Sequence, residues 1–119
     1  MKAKDALGLR GEELAADHLK ASGFRLVERN WRCPVGEIDL VAYDGRTLVI
    51  VEVKTRTSDA YGHPFEAITP AKLKRLHLLA GAWVKEREAG RQPETRIDVI
   101  GILCPPGGSP SIEHLRGVC

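Results

Sequence analysis

Asp39, Glu52 and Lys54, with Glu12 upstream, are the residues of this sequence whose types and spacing suit hydrolytic chemistry. Residues 47–54 read Thr-Leu-Val-Ile-Val-Glu-Val-Lys. A strand so continuously apolar belongs inside a sheet, covered on both faces. Yet it ends with Glu52 and Lys54 two positions apart, hence on one face. The preceding segment, Glu37-Ile38-Asp39-Leu40-Val41, likewise puts Glu37 and Asp39 on a common face. Asp44-Gly45 between these β-rich runs predicts a hairpin with a two-residue type I′ turn. That register sets Tyr43 opposite Arg46, Asp39 opposite Ile50 and Glu37 opposite Glu52. Asp39 and Glu52 then become diagonal neighbours, about 7–8 Å apart between backbones.

Carboxylates so close and partly desolvated repel one another unless a proton or a cation sits among them. Hard oxygen ligands favour Mg²⁺ or Mn²⁺, which accept few protein carboxylates and keep several waters. Such an ion generates a hydroxide nucleophile and stabilises charge on a scissile phosphate. Lys54 is placed to reach the attacking water or the phosphate, offsetting carboxylate charge while donating to an oxyanion. The spacing also fits a plain ion-pair cluster, with Lys54 neutralising Glu52 at a solvated strand end. Glu12 favours the catalytic reading, because a helical projection turns it inward.

That projection concerns the first element, a helix from Asp5 to Ser22 stopped by Gly23. At about 100° per residue, Leu7, Gly11, Leu14, Ala15, His18 and Leu19 share one arc. Glu12 falls within the arc and Glu13 points to solvent. Strands follow at Phe24–Asn30, Glu37–Tyr43 and Thr47–Lys54, with a turn around Cys33-Pro34. After a loop from Thr55 to Ile68, Thr69 caps a second helix with Pro70 at its first position. Leu73, Leu76, Ala80 and Trp83 form its buried stripe. Arg96–Leu103 reads as a further strand and Ser111–Arg116 as a short edge strand. The order α-β-β-β-α-β(-β) argues an α+β fold with a mixed sheet, the first three strands being hairpin neighbours.

The chain has 119 residues, which fits one domain spanning 1–119. Hydrophobic residues are 43% and charged residues 29%, which excludes disordered, collagen-like and coiled-coil classes. Lys plus Arg is 18 against 16 Asp plus Glu, a formal charge of only +2. Bulk charge alone therefore does not bind a polyanion, although residues 46–75 are locally basic. No run approaches the roughly 20 apolar residues of a membrane helix, and the first residues carry no secretory apolar stretch. The expectation is a soluble cytoplasmic protein with no membrane partner. Cys33, Cys104 and Cys119 have no metal-ligand spacing and read as reduced thiols.

Gly11-Glu12, Gly36-Glu37-Ile38-Asp39-Leu40-Val41-Ala42 and Val51-Glu52-Val53-Lys54-Thr55-Arg56 together resemble the YraN family of small bacterial proteins. That family is similar to archaeal Holliday-junction resolvases and to the restriction-endonuclease-like PD-(D/E)XK nucleases. Tyr61-Gly62, Pro64, Lys72 and Arg96-Ile97-Asp98-Val99 extend the resemblance over residues 8–103. It implies a restriction-endonuclease-like mixed sheet flanked by helices and a metal-dependent phosphodiesterase site. By position, Asp39 and Glu52 would bind the metal with the carbonyl of Val53, Lys54 would be the catalytic lysine, and Glu12 would complete the site. Glu37 resembles a family-specific addition. No Pro precedes Asp39, a position that varies among such enzymes. Because the resolvases act as symmetric dimers, the resemblance also implies a homodimer acting on branched or junction DNA in repair or recombination.

The leading expectation is a Mg²⁺- or Mn²⁺-dependent endonuclease. A catalytically silent nucleic-acid-binding module and a protein-interaction adaptor are the alternatives. Thr55 and Arg56 could position a DNA backbone, which carries no sequence information. Lys72 could contact a phosphate, or simply snorkel. His63 could contact a phosphate or relay a proton, or be a solvated loop residue. Trp31 could stack on a base, though packing suits it better. His18 and Trp83 read as core residues.

Overall fold

In the computed structural model, which describes residues 5–58, 60 and 62–118, the chain begins with helix α1 (Ala6–Ala21). Tyr61 and Cys119 lie outside the described residues. Asp5 caps α1 by accepting the Gly8 N–H at 2.7 Å. At the other end Gly23, at φ 89°, allows a Schellman closure in which Phe24 N–H donates to Leu19 O. Three strands follow, β1 (Arg25–Cys33), β2 (Gly36–Asp44) and β3 (Thr47–Arg56). A 3-10 turn at Pro64–Ala67 leads into α2 (Pro70–Arg87), and β4 (Thr95–Leu103) and β5 (Ser111–Leu115) complete the order. Thr69 caps α2 by accepting the Lys72 N–H at 3.1 Å, with Pro70 in the first turn as expected.

The strands form one sheet in sequence order, β1 to β5, and only β3 and β4 run parallel. This is the expected mixed α+β architecture, with β3 central. Alternation along β3 feeds two cores. Val49 and Val51 pack with Ala15, Ala16 and Leu19 of α1, whereas Leu48 and Ile50 pack with Leu76, Leu79 and Trp83 of α2. Trp31 is buried in the α2 layer and donates from Nε1 to Glu86 at 2.7 Å. Cys33 and Cys104 are free thiols. Among the described residues, no helix is long and apolar enough to cross a membrane.

The hairpin between β2 and β3 differs from the predicted one. Asp44 pairs with Thr47, so the turn residues are Gly45-Arg46. Gly45 has φ 61° and Arg46 is not in the positive-φ region, as a type II′ turn requires. Glycine takes the position that demands positive φ, and Asp44 remains in the strand, where its carboxylate receives Arg96 at 2.9 Å. Partners therefore move by two positions. An even shift leaves the faces of β3 as predicted, but Leu40 meets Val51, which brings Asp39 level with Glu52 rather than Ile50. Glu37 falls beyond the ladder instead of opposite Glu52.

Candidate functional site

The β2–β3 ladder ends at Leu40–Val51, one position before Asp39 and Glu52. Strict alternation in β2 also breaks here. Ile38 packs in the α2 layer and Leu40 in the α1 layer, although they are two residues apart. Asn30, on the neighbouring strand, has φ 52°. With the ladder over, the side chain of Asp39 accepts the Val53 N–H at 2.8 Å. A carboxylate thus occupies the gap where two central strands part.

Helix α1 supplies the next carboxylate. Gly11 has no Cβ, and one built there would fall 1.9 Å from Thr55 Oγ1. Only glycine lets the helix cross β3 this closely, and Glu12 is carried inward to 5% exposure. Glu12, Glu37 and Asp39 each offer a carboxylate oxygen, and these atoms lie within 4.8 Å of one another. Glu37 is also bonded to Arg32 at 2.6 Å.

Glu52 and Lys54 continue the β3 face that looks toward α2. Lys72 Nζ, from the first turn of α2, lies 2.6 Å from Glu52 Oε2, and Lys54 Nζ lies 3.6 Å from the same atom. Burial pushes the Glu52 carboxyl above its ordinary value, and the neighbouring charge of Asp39 adds to this against the two lysines. Burial pulls Lys54 below its usual range, with the adjacent Lys72 adding to the fall. Burial pulls on Lys72 too, but its bonds to Glu52 and Lys54 and the charges of Glu52 and Asp39 together outweigh that and hold it high.

These groups line a cleft of about 480 Å³ between the N-terminal turns of the two helices. Glu12, Glu37, Asp39, Glu52, Val53, Lys54, Thr55, Arg56 and Lys72 all line it. His63 does not. Its Nδ1 accepts the Phe65 N–H at 3.1 Å and its Nε2 is bonded to Glu113 at 2.6 Å. Arg75 lines the cleft unanticipated. Its position three residues after Lys72 puts it on the same helical face, which was the available signal. The carboxylates fit a hard divalent cation by donor type and by convergence. The tight group is Glu12, Glu37 and Asp39, whereas Glu52 is tied to two ammonium groups.

A second polar cluster lies outside the cleft. Asp98, fully buried, accepts from Arg96 at 2.8 and 3.0 Å, from His114 at 2.8 Å and from the Gly117 N–H at 3.0 Å. His114 is bonded in turn to His18 at 3.0 Å, so His18 is hydrogen-bonded but half-buried rather than a core residue.

Residues 11–102 match the profile of UPF0102, described as an uncharacterised protein family. A UPF0102 protein of an Arthrobacter species is 61% identical over 118 residues, covering 99% of each chain. One from Pseudarthrobacter chlorophenolicus is 59% identical over 118 residues, covering 99% of this chain and 89% of its own. One from Streptomyces coelicolor is 48% identical over 119 residues, covering 99% of this chain and 92% of its own.

Proposed function

The chain belongs to UPF0102, the YraN family, and from that premise we propose that it is a Mg²⁺- or Mn²⁺-dependent DNA endonuclease that hydrolyses phosphodiester bonds. The observation that carries this reading is the meeting of Glu12, Glu37 and Asp39 within 4.8 Å in a cleft that also holds Glu52, Lys54 and Lys72. Four carboxylates gathered at one strand gap are costly to fold without a countercharge. Asp39 and its neighbours would hold a divalent cation, and the chemistry it would supply is a water of lowered pKa and neutralisation of charge on the scissile phosphate.

The chain's own groups do the rest. The Val53 N–H bond holds the Asp39 carboxylate in the gap. Lys54, with its proton less firmly held than in solution, stands where it can donate to a phosphate oxygen as charge develops. Arg56 and Arg75, at the edge of the cleft, position the backbone of the substrate. Branched or junction DNA is the substrate to test first, by the likeness to resolvases, and a homodimer would suit its symmetry.

A specific observation favours a second reading. Glu52 is already neutralised by Lys72 and Lys54, as it would be in a structural ion-pair cluster of a catalytically silent module. The deciding experiment is a cleavage assay with Mg²⁺ or Mn²⁺ on linear duplex, single-stranded, flap and four-way-junction DNA. Purified Asp39→Ala and Glu52→Ala proteins, checked for folding, run alongside. The expected result is cleavage by the parent alone, with turnover in the variants down by at least about 10²-fold. DNA binding without cutting of any substrate supports the silent module. Neither binding nor cutting supports an adaptor.

A further inference from the structure

We propose that Lys72 is an internal counter-ion of Glu52, competing with the divalent cation for that carboxylate and so setting how tightly this chain takes the metal. The inference rests on the metal-dependent reading of the cleft. Both ammonium groups address the same oxygen, Oε2, but unequally, with Lys72 at 2.6 Å and Lys54 at 3.6 Å. The shorter pair joins two elements, α2 and β3, rather than neighbours on one strand. Lys72 is also held by its backbone, because its N–H is the one that the Thr69 cap receives. The Glu52 side chain is only 8% exposed and that of Lys72 28%, so water screens the pair poorly.

Such a pair suits the protein without metal. Glu52 is level with Asp39 across the strand gap, and Glu12 and Glu37 are close to Asp39. An ammonium group delivered by α2 offsets that repulsion and lets the fold persist with an empty cation site. The same charge opposes loading. A divalent ion entering the cleft meets the field of Lys72, and Glu52 must leave, share or loosen a short ion pair to contribute. Lys54, farther from Oε2, is the ammonium left for the reacting phosphate. The two lysines then have separate tasks, one for the metal-free state and one for the substrate.

The two effects of removing the charge have opposite signs, which a merely structural lysine would not produce. Mn²⁺ binding to the full chain is measured by calorimetry at pH 8 without DNA, for the parent, Lys72→Met, Lys72→Gln and Lys72→Arg. Thermal melting of each metal-free protein is measured in parallel. Lys72→Met and Lys72→Gln are expected to bind Mn²⁺ on the order of tenfold more tightly, while their metal-free melting temperatures fall. Lys72→Arg keeps the charge and is expected to behave like the parent. Should Lys72→Met fail to fold, Lys72→Gln, which keeps a donor, carries the comparison. Unchanged or weaker affinity in the neutral variants, beside measurable binding in the parent, overturns the counter-ion role alone. Absence of Mn²⁺ binding by the parent overturns the metal-site reading and this proposal together.

Discussion

Two buried carboxylates of this chain are treated in opposite ways. Glu52 is pushed up by burial and by Asp39, so its charge is disfavoured where it stands. Asp98 is buried as well, but donors from His114, Arg96 and the Gly117 N–H outweigh that cost and hold it at about 2. A carboxylate surrounded by donors is a structural anchor, and one pressed against another carboxylate marks a site with work to do. Asp98 couples folding to pH. Its folded value lies below the ordinary 3.8, so its contribution is present above about pH 4 and is lost as pH falls toward 2. At about 1.4 kcal/mol per pKa unit, the contribution is on the order of 2 kcal/mol. Denaturant melts of the parent and Asp98→Asn are expected to differ most near neutral pH and to converge below pH 3. A gap that stays constant down to pH 2 would contradict the assignment.

At the scale of elements, the cleft depends on how closely α1 approaches β3. A methyl group on Gly11 would collide with Thr55 Oγ1, Cβ and Cγ2, at 1.9, 2.9 and 2.9 Å. Neither partner can yield easily, since one is helix backbone and the other lies on the central strand. Gly11→Ala is expected to cost roughly 1–3 kcal/mol in a denaturation experiment, as overpacking does. It should also weaken Mn²⁺ binding, because lifting α1 carries Glu12 away. Thr55→Ala in the Gly11→Ala background should recover part of both losses, giving a favourable coupling in a double-mutant cycle. Independent, additive effects would show that the contact does not position Glu12. The Gly-Glu pair was legible as a motif, but the reason for its glycine was not. That reason is a residue 44 positions later, brought across by the sheet.

For the whole molecule, the small net charge of +2 conceals an uneven distribution. Arg29 is paired with Glu13, Arg87 with Glu28, and Arg96 with Asp98 and Asp44. Arg56 and Arg75, at the cleft, have no carboxylate partner among the described residues. If a DNA backbone lies across this rim, its affinity should fall steeply with salt. Arg56→Ala and Arg75→Ala should each reduce the slope of log K against log salt by about 0.9 on duplex DNA. Fluorescence anisotropy over a salt series measures this, and unaltered slopes would move the DNA to another face.

Local chemistry carried most of the elements. Asp5, Gly23, Thr69 and Pro70 bound the two helices because capping and backbone freedom act within a few residues. The inward turn of Glu12 and the shared face of Glu52 and Lys54 follow from helical and strand periods alone. The register of the β2–β3 hairpin did not, because Asp-Gly and Gly-Arg both make two-residue turns. The choice between them involves Asp44, which is held by Arg96 from a strand more than fifty residues later. Likewise the sequence marked Lys72 as a cation near the sheet, but only packing of α2 brought it to Glu52. Periods and caps are properties of neighbours in the chain, whereas the partner of a buried charge is set by whichever distant element covers it.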